Sequence, residues 1–266
     1  MAIGKKNHSK CRPESEYPEV AGKTLFKNQS QSYSNLQVEV DGVPYEVHGG
    51  DILLSSSFRM NSRLWEKGII PYKISSGISK LRTPVIKAAM KMWSKKTKGA
   101  VTFVPYNREK HQDYVDFIDT ERVFFGGFSY VGRSGGRQVL GMSRALYPPL
   151  DFSIALHEIG HLIGLSHEHN RSDRDKYIDV KWCNIEKQFR SQFKKNNKKL
   201  YGKYDYDSIM HYGNSTGAKI TGGFSFSYKK KKIKNFMKSM TTRLLPMSLS
   251  KGDIQKVRCM YQGKKC

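Results

Sequence analysis

The hydrophobic pattern changes character several times along the chain. Residues 1–35 are polar, broken by Pro13 and Pro18, and end in a Gln/Ser/Asn-rich stretch at 28–35. They bury too little apolar surface to fold alone and are expected to be extended or disordered. Leu36–Val47 alternates around Asp41-Gly42, the pattern of a weak hairpin. His48-Gly49-Gly50-Asp51 then sets a flexible glycine pair before a carboxylate, and residues 55–63 form a polar, basic link. From Leu64-Trp65 the pattern is that of a compact domain. Ile69–Ile74 reads as a strand, and Thr83-Pro84 opens an amphipathic helix with Val85, Ala88, Ala89, Met92 and Trp93 on its apolar face. Further strands are predicted at Ala100–Pro105, Tyr114–Ile118 and Gln138–Ser143, with a glycine-rich turn region at 126–136. A helix through His157 and His161 is expected to be N-capped by Asp151 or Ser153. Beyond it the chain is irregular, with one helix predicted at Asn184–Lys195 and a lysine run, Lys229–Lys232, in a loop. A last amphipathic helix is predicted at Ser250–Met260, with Ser250 as N-cap and Asp253 three residues on. Strands alternating with helices, then a helix and irregular chain, predict an α+β fold of two lobes with a cleft between them. The expected division is an extended leader, 1–55, and one compact domain, 56–266.

Composition adds a charge asymmetry. The 266 residues are 38% hydrophobic, enough for one sizeable core. The formal charge is +24, yet residues 1–54 sum to −1, so residues 55–266 carry +25. A slightly acidic leader and a basic body attract one another. The clusters Lys194–Lys203 and Lys229–Lys238 suit an anionic glycan, an acidic surface or nucleic acid, or serve solubility alone. No run is long and apolar enough to span a membrane, and the first ten residues lack the apolar stretch of a signal peptide. Cys11, Cys183, Cys259 and Cys266 form neither CxxC pairs nor a dense disulfide framework. Cys259 and Cys266 are close enough for a small loop, although sequence does not assign pairs.

The chemistry is concentrated in His157-Glu158-Ile159-Gly160-His161 and the residues after it. On a helix, His157 and His161 lie one turn apart on one face and reach one metal ion. Glu158 stands beside them, able to hold a metal-activated water without being a ligand. Gly164 is placed to take positive φ and end the helix, which brings His167 round as a third nitrogen donor. Three protein ligands and an open position are what catalytic zinc requires.

The stretch His157–Tyr177 resembles the extended zinc signature of the astacin metallopeptidases, in the metzincin clan. Tyr204–Tyr212, which ends Ser208-Ile209-Met210-His211-Tyr212, is similar to that family's Met-turn. Trp65 with Ile70-Pro71-Tyr72, Phe103-Val104-Pro105, Phe128–Arg133 and Leu249–Ile254 extend the resemblance over roughly residues 48–262. It implies a zincin fold whose N-terminal lobe is a twisted mixed sheet with helices and whose C-terminal lobe is mostly irregular with a final helix. It implies one zinc ion per chain held by His157, His161 and His167, with Met210 beneath it and Tyr212 as an additional, mobile ligand. Glu158 would be the general base, and the substrate a protein or peptide. Glu168 is similar to the glutamate that forms a buried link to the new N-terminus in mature members. His48-Gly49-Gly50-Asp51 resembles a propeptide motif whose aspartate occupies the open zinc position, although His48 stands where the family usually has an aromatic. The implied protein is a secreted, monomeric proenzyme, cut between Leu54 and Arg63. Family spacing favours Ser56, and Arg59 or Arg63 offers an alternative signal. Two departures stand out. Ala100, Gly127 and Gly263 occupy three of the family's cysteine positions, so both usual bridges are expected to be absent, and no signal peptide is visible. The competing expectation is a catalytically silent protein that uses its basic surface for anionic glycans or nucleic acid.

Overall fold

The computed structural model describes residues 36–40, 43–48, 51–54, 63–120, 126–143, 148–219, 223–229, 247–264 and 266. The expectations for residues 1–35, for the turn at 41–42, for the glycine pair at 49–50, for most of the link at 55–63 and for the lysine-rich stretch at 230–238 lie outside these residues.

The predicted hairpin forms as β1 (Leu36–Val40) and β2 (Val43–His48), paired antiparallel, and β3 (Ile52–Leu54) adds to β2. The next elements are β4 (Ile69–Ile74), α1 (Arg82–Lys96), β5 (Thr102–Pro105), β6 (Tyr114–Thr120), β7 (Gly127–Ser129) and β8 (Arg137–Ser143). They form one mixed sheet in the order β1-β2-β3-β7-β8-β6-β4-β5. Its centre is parallel, whereas β7 runs antiparallel to β8. The leader joins through a single parallel register, Ile52 opposite Ser129, and Val47 and Leu53 pack against Phe128, Tyr130 and Val139. This pairing carries Asp51 into the domain.

Three predicted boundaries shift for identifiable reasons. The buried face of α1 is Arg82, Ile86, Ala89, Met90 and Trp93, while Ala88 is exposed. The face rotates because Arg82 turns inward, binding Asp119 at 2.5 Å and Asp151 at 3.2 Å. The histidine helix, α2 (Pro148–Ile163), starts ahead of both predicted caps. Prolines suit a first turn, where no N–H partner is needed, and Asp151 is committed to Arg82. The helix predicted at Asn184–Lys195 is instead two 3₁₀ segments, Trp182–Asn184 and Lys187–Phe193. Ile185 bridges to Ala218 and Glu186 donates its N–H to Gly217, so the backbone there is extended and breaks the helix.

The main core lies between the sheet and α1, α2 and α3 (Lys251–Gln262). Two indoles fix α2: Trp93 donates to the Leu156 carbonyl at 3.0 Å and Trp65 to that of Leu162 at 2.9 Å. The Tyr261 hydroxyl donates to Ile163 at 2.6 Å, so carbonyls left orphaned at the helix end are satisfied from distant parts of the chain. A second, smaller core beyond the cleft gathers Trp182, Ile185, Phe193, Tyr204 and Phe226, with β9 (Ile178–Val180) and β10 (Phe226–Tyr228) at its edge. Cys259 and Cys266 form a disulfide, Cys183 is also disulfide-bonded, and no described cysteine is free. No helix among the described residues is long and apolar enough to cross a membrane.

The predicted capping box of α3 is present, and it does a second job. Ser250 Oγ accepts from the Asp253 N–H, and Asp253 Oδ2 accepts from the Ser250 N–H. The same carboxylate accepts from Ser208 Oγ at 2.5 Å and from the Ile209 N–H at 2.9 Å, pinning the turn that carries Met210. Asp253→Ala should lower unfolding stability by about 2–4 kcal/mol, since it removes a cap and leaves buried donors unpaired. Urea denaturation checks this, and a change below about 1 kcal/mol would deny the clamp.

Candidate metal centre

Helix α2 presents His157 and His161 from one face, as their spacing requires. Each ring is oriented through its far nitrogen: Nδ1 of His157 lies 2.8 Å from the Ile209 carbonyl and Nδ1 of His161 2.8 Å from that of Leu165. Those carbonyls can only accept, so each Nδ1 carries the proton and each Nε2 lone pair faces forward. Gly164 adopts φ +121° and its N–H closes on the His161 carbonyl, ending the helix. The chain doubles back, and His167 Nε2 arrives 3.2 Å from Nε2 of both other histidines.

Asp51 completes the group from 106 residues away. Its Oδ2 is 3.2 Å from Nε2 of His157 and of His167, and its Oδ1 is 3.6 Å from that of His161. The four donor atoms lie within 4.8 Å of one another and all four residues are buried. The 3.2 Å contacts are close to the edges of a tetrahedron with bonds of about 2.0–2.1 Å, the zinc–nitrogen distance. Burial pushes His161 down to about 4 and also lowers His167, so these rings are neutral at pH 7, the form that ligates a metal. A ring of forward lone pairs and one carboxylate calls for a cation, so the residues fit zinc.

Glu158 sits beside the group, buried, with Oε2 unpartnered. Burial and then the Asp51 charge push its carboxyl well above the ordinary range. Gly127 lies directly against it: a β-carbon there would stand 2.8 Å from Glu158 Cγ. Met210 packs under α2 where Gly160 leaves room, since a β-carbon at 160 would meet its Sδ at 2.6 Å. The ring of Tyr212 lies 4.6 Å from that of His167 and is stacked on His169 at 4.0 Å. Burial, then Asp51 and Glu158, raise its hydroxyl pKa well above the usual value, so the phenol stays protonated.

Glu168 is also where the sequence predicts, buried, but here its partner comes from inside the chain. Lys256 Nζ lies 2.5 Å from Oε2, while Oε1 accepts the Asp205 N–H at 2.8 Å and faces Arg171 at 3.5 Å. Sequence reasoning missed Lys256, Gly160, Gly127 and His169. Only Lys256 left a visible trace, as a lysine one turn after Asp253 on the inner face of an amphipathic helix.

A two-lobed α+β domain that aims three histidine nitrogens at one point, with a carboxylate held alongside, has the fold and donor set of a zincin. The family model for astacin, a peptidase family, matches residues 57–262. Zinc metalloproteinase nas-4 of Caenorhabditis elegans is 32% identical over 235 residues, covering 86% of this chain and 69% of that protein. The astacin-like metalloendopeptidase of Mus musculus is 32% identical over 231 residues, 80% of this chain and 51% of the relative. Zinc metalloproteinase nas-39 of Caenorhabditis elegans is 31% identical over 240 residues, of which this chain spans only 24% of the length. Among solved structures, high choriolytic enzyme 1 of the medaka Oryzias latipes, a hatching enzyme zinc-protease, matches with a TM-score of 0.62 and 29% identity. That match covers 76% of this chain and 94% of the other. The chain belongs to the astacin family.

Proposed function

We propose that this chain is a zinc endopeptidase produced in a latent form. The observation that carries the reading is the convergence of the His157, His161 and His167 Nε2 atoms on one point beside the unpartnered Glu158. These three histidines would hold the ion, which supplies a Lewis acid that acidifies water and polarises the scissile carbonyl. Glu158 takes the proton of the attacking water, a task suited to a carboxyl whose basicity is raised by burial. The same carboxyl then delivers that proton to the leaving amine. Tyr212, kept protonated by burial, would donate a hydrogen bond to the carbonyl oxygen as negative charge develops there, and by resemblance to the family would be a further ligand. Met210 and Gly164 shape the floor and the turn, and Glu168 anchors the segment that presents His167.

Latency follows from Asp51. Its carboxylate fills the position that water needs, held there by β3 along β7. Residues 1–55 act as the propeptide and 56–266 as the catalytic domain, with the cut near Ser56 or at Arg59 or Arg63. The paired cysteines suit an oxidising compartment, in line with secretion.

Zinc analysis of the uncut chain and of chain trimmed near Ser56, with a peptide-library digest of each, tests the reading. One zinc per chain is expected in both, with cleavage by the trimmed form only, lost to a chelator and restored by zinc. A trimmed, zinc-loaded chain that cleaves no peptide overturns it.

A further inference from the structure

Helix α1 carries a row of charge that the proposed hydrolysis does not use. Its residues, Arg82–Lys96, include no acidic side chain, and Lys87, Lys91 and Lys95 follow one another a turn apart. All three are exposed, on the face turned away from the buried Arg82, Ile86 and Trp93. Like charges at this spacing repel one another and destabilise a helix. The neighbouring sequence offers no relief, because residues 67–112 hold eleven lysines and arginines against one acidic residue, Glu109. The described lysines that pair with carboxylates are Lys181, Lys195 and Lys256, none of them on α1.

The row runs into a groove. An open cavity of about 690 Å³ is bounded by Lys73, Lys87, Ser75, Ser76, Thr83 and Tyr106, among others, and no carboxylate lines it. Asp116, which accepts from Ser75 Oγ at 2.8 Å, is buried and also holds Arg137. Tyr106 is a rigid wall: its ring is stacked on Tyr114 at 3.9 Å and its N–H donates to the Tyr72 carbonyl at 2.8 Å. Ammonium groups recognise sulfate or carboxylate, hydroxyls recognise hydroxyls, and an aromatic ring takes the C–H face of a sugar. Lys87 and Lys95 stand about 12 Å apart along the helix axis, which suits a repeating polyanion better than one small ion. Nucleic acid would satisfy the charge, but the paired cysteines suit an oxidising compartment, where acidic polysaccharides are the commoner polyanion.

We propose that α1 and this groove form a docking surface for an acidic polysaccharide, with Lys87, Lys91 and Lys95 along its charges and Lys73 and Tyr106 at one end. None of these residues belongs to the metal centre, so the binding does not rest on the peptidase reading.

Titration of heparin fragments into the uncut, zinc-loaded chain at physiological ionic strength tests the surface. Saturable binding is expected. Lys87→Gln, Lys91→Gln and Lys95→Gln together should weaken it about tenfold or more and flatten its dependence on salt, because ionic contacts are lost. Lys176→Gln, Lys187→Gln and Lys203→Gln together remove the same charge from exposed positions elsewhere and should weaken it far less. Tyr106→Ala should weaken binding about threefold with the salt dependence unchanged, the mark of a sugar ring on an aromatic face. Equal losses in the two triple variants would reduce the effect to net charge and overturn the proposal, as would the absence of saturable binding. Tighter binding of single-stranded DNA of the same charge, through the same three lysines, overturns it in favour of nucleic acid.

Discussion

Glu158→Gln, in the trimmed chain, should bind a full equivalent of zinc and lose turnover by a factor of about 10²–10⁴ or more, the range of a removed general base. The amide keeps the shape of the side chain in the pocket formed by Gly127 and α2, so the histidines have no reason to move. What it cannot do is accept a proton. Glu158 has no competing hydrogen bond to its Oε2, so the loss is not masked by rearrangement of a network. Casein cleavage and metal content, measured on one preparation, separate the two effects. Wild-type activity in this variant would remove Glu158 from the mechanism, and loss of zinc would make it a structural residue.

Asp51→Ala should have the opposite sign. The uncut wild-type chain is expected to be silent, and removing this carboxylate frees the fourth position while the leader stays in place. Breaking a buried charged contact of this kind costs the closed state about 3 kcal/mol or more, which corresponds to about a 10²-fold rise in open sites. Activity should stay below that of trimmed enzyme, because the Ile52–Ser129 register and the packing of Leu53 under Phe128 still hold the leader along β7. An uncut Asp51→Ala chain as inactive as its parent, beside an active trimmed form, would show that the leader blocks the cleft by bulk rather than through this carboxylate.

How much of this was readable beforehand depends on the distance over which each residue finds its partners. His157, His161, Gly164 and His167 lie close together in the chain, and helical geometry with one glycine turn brings them together. The capping box of α3 is local in the same sense, and Ser250 and Asp253 were legible for that reason. The inward turn of Arg82 was not, because its partners lie 37 and 69 residues away and an arginine next to a helix start ordinarily points to water. The start of α2 was misplaced because Asp151 looks like a cap until Arg82 claims it. Asp51 was suggested only by resemblance, since no local rule spans the 106 residues to His157. The pairing of Lys256 with Glu168 across 88 residues left a trace too faint to assign.

One contact ties the metal centre to a distant helix. The His157 ring is set by the Ile209 carbonyl, and the Ile209 N–H is held by Asp253 in α3. Loosening of α3 therefore reaches the first of the three imidazoles through two hydrogen bonds, so the order of that helix and the affinity for the metal should fall together.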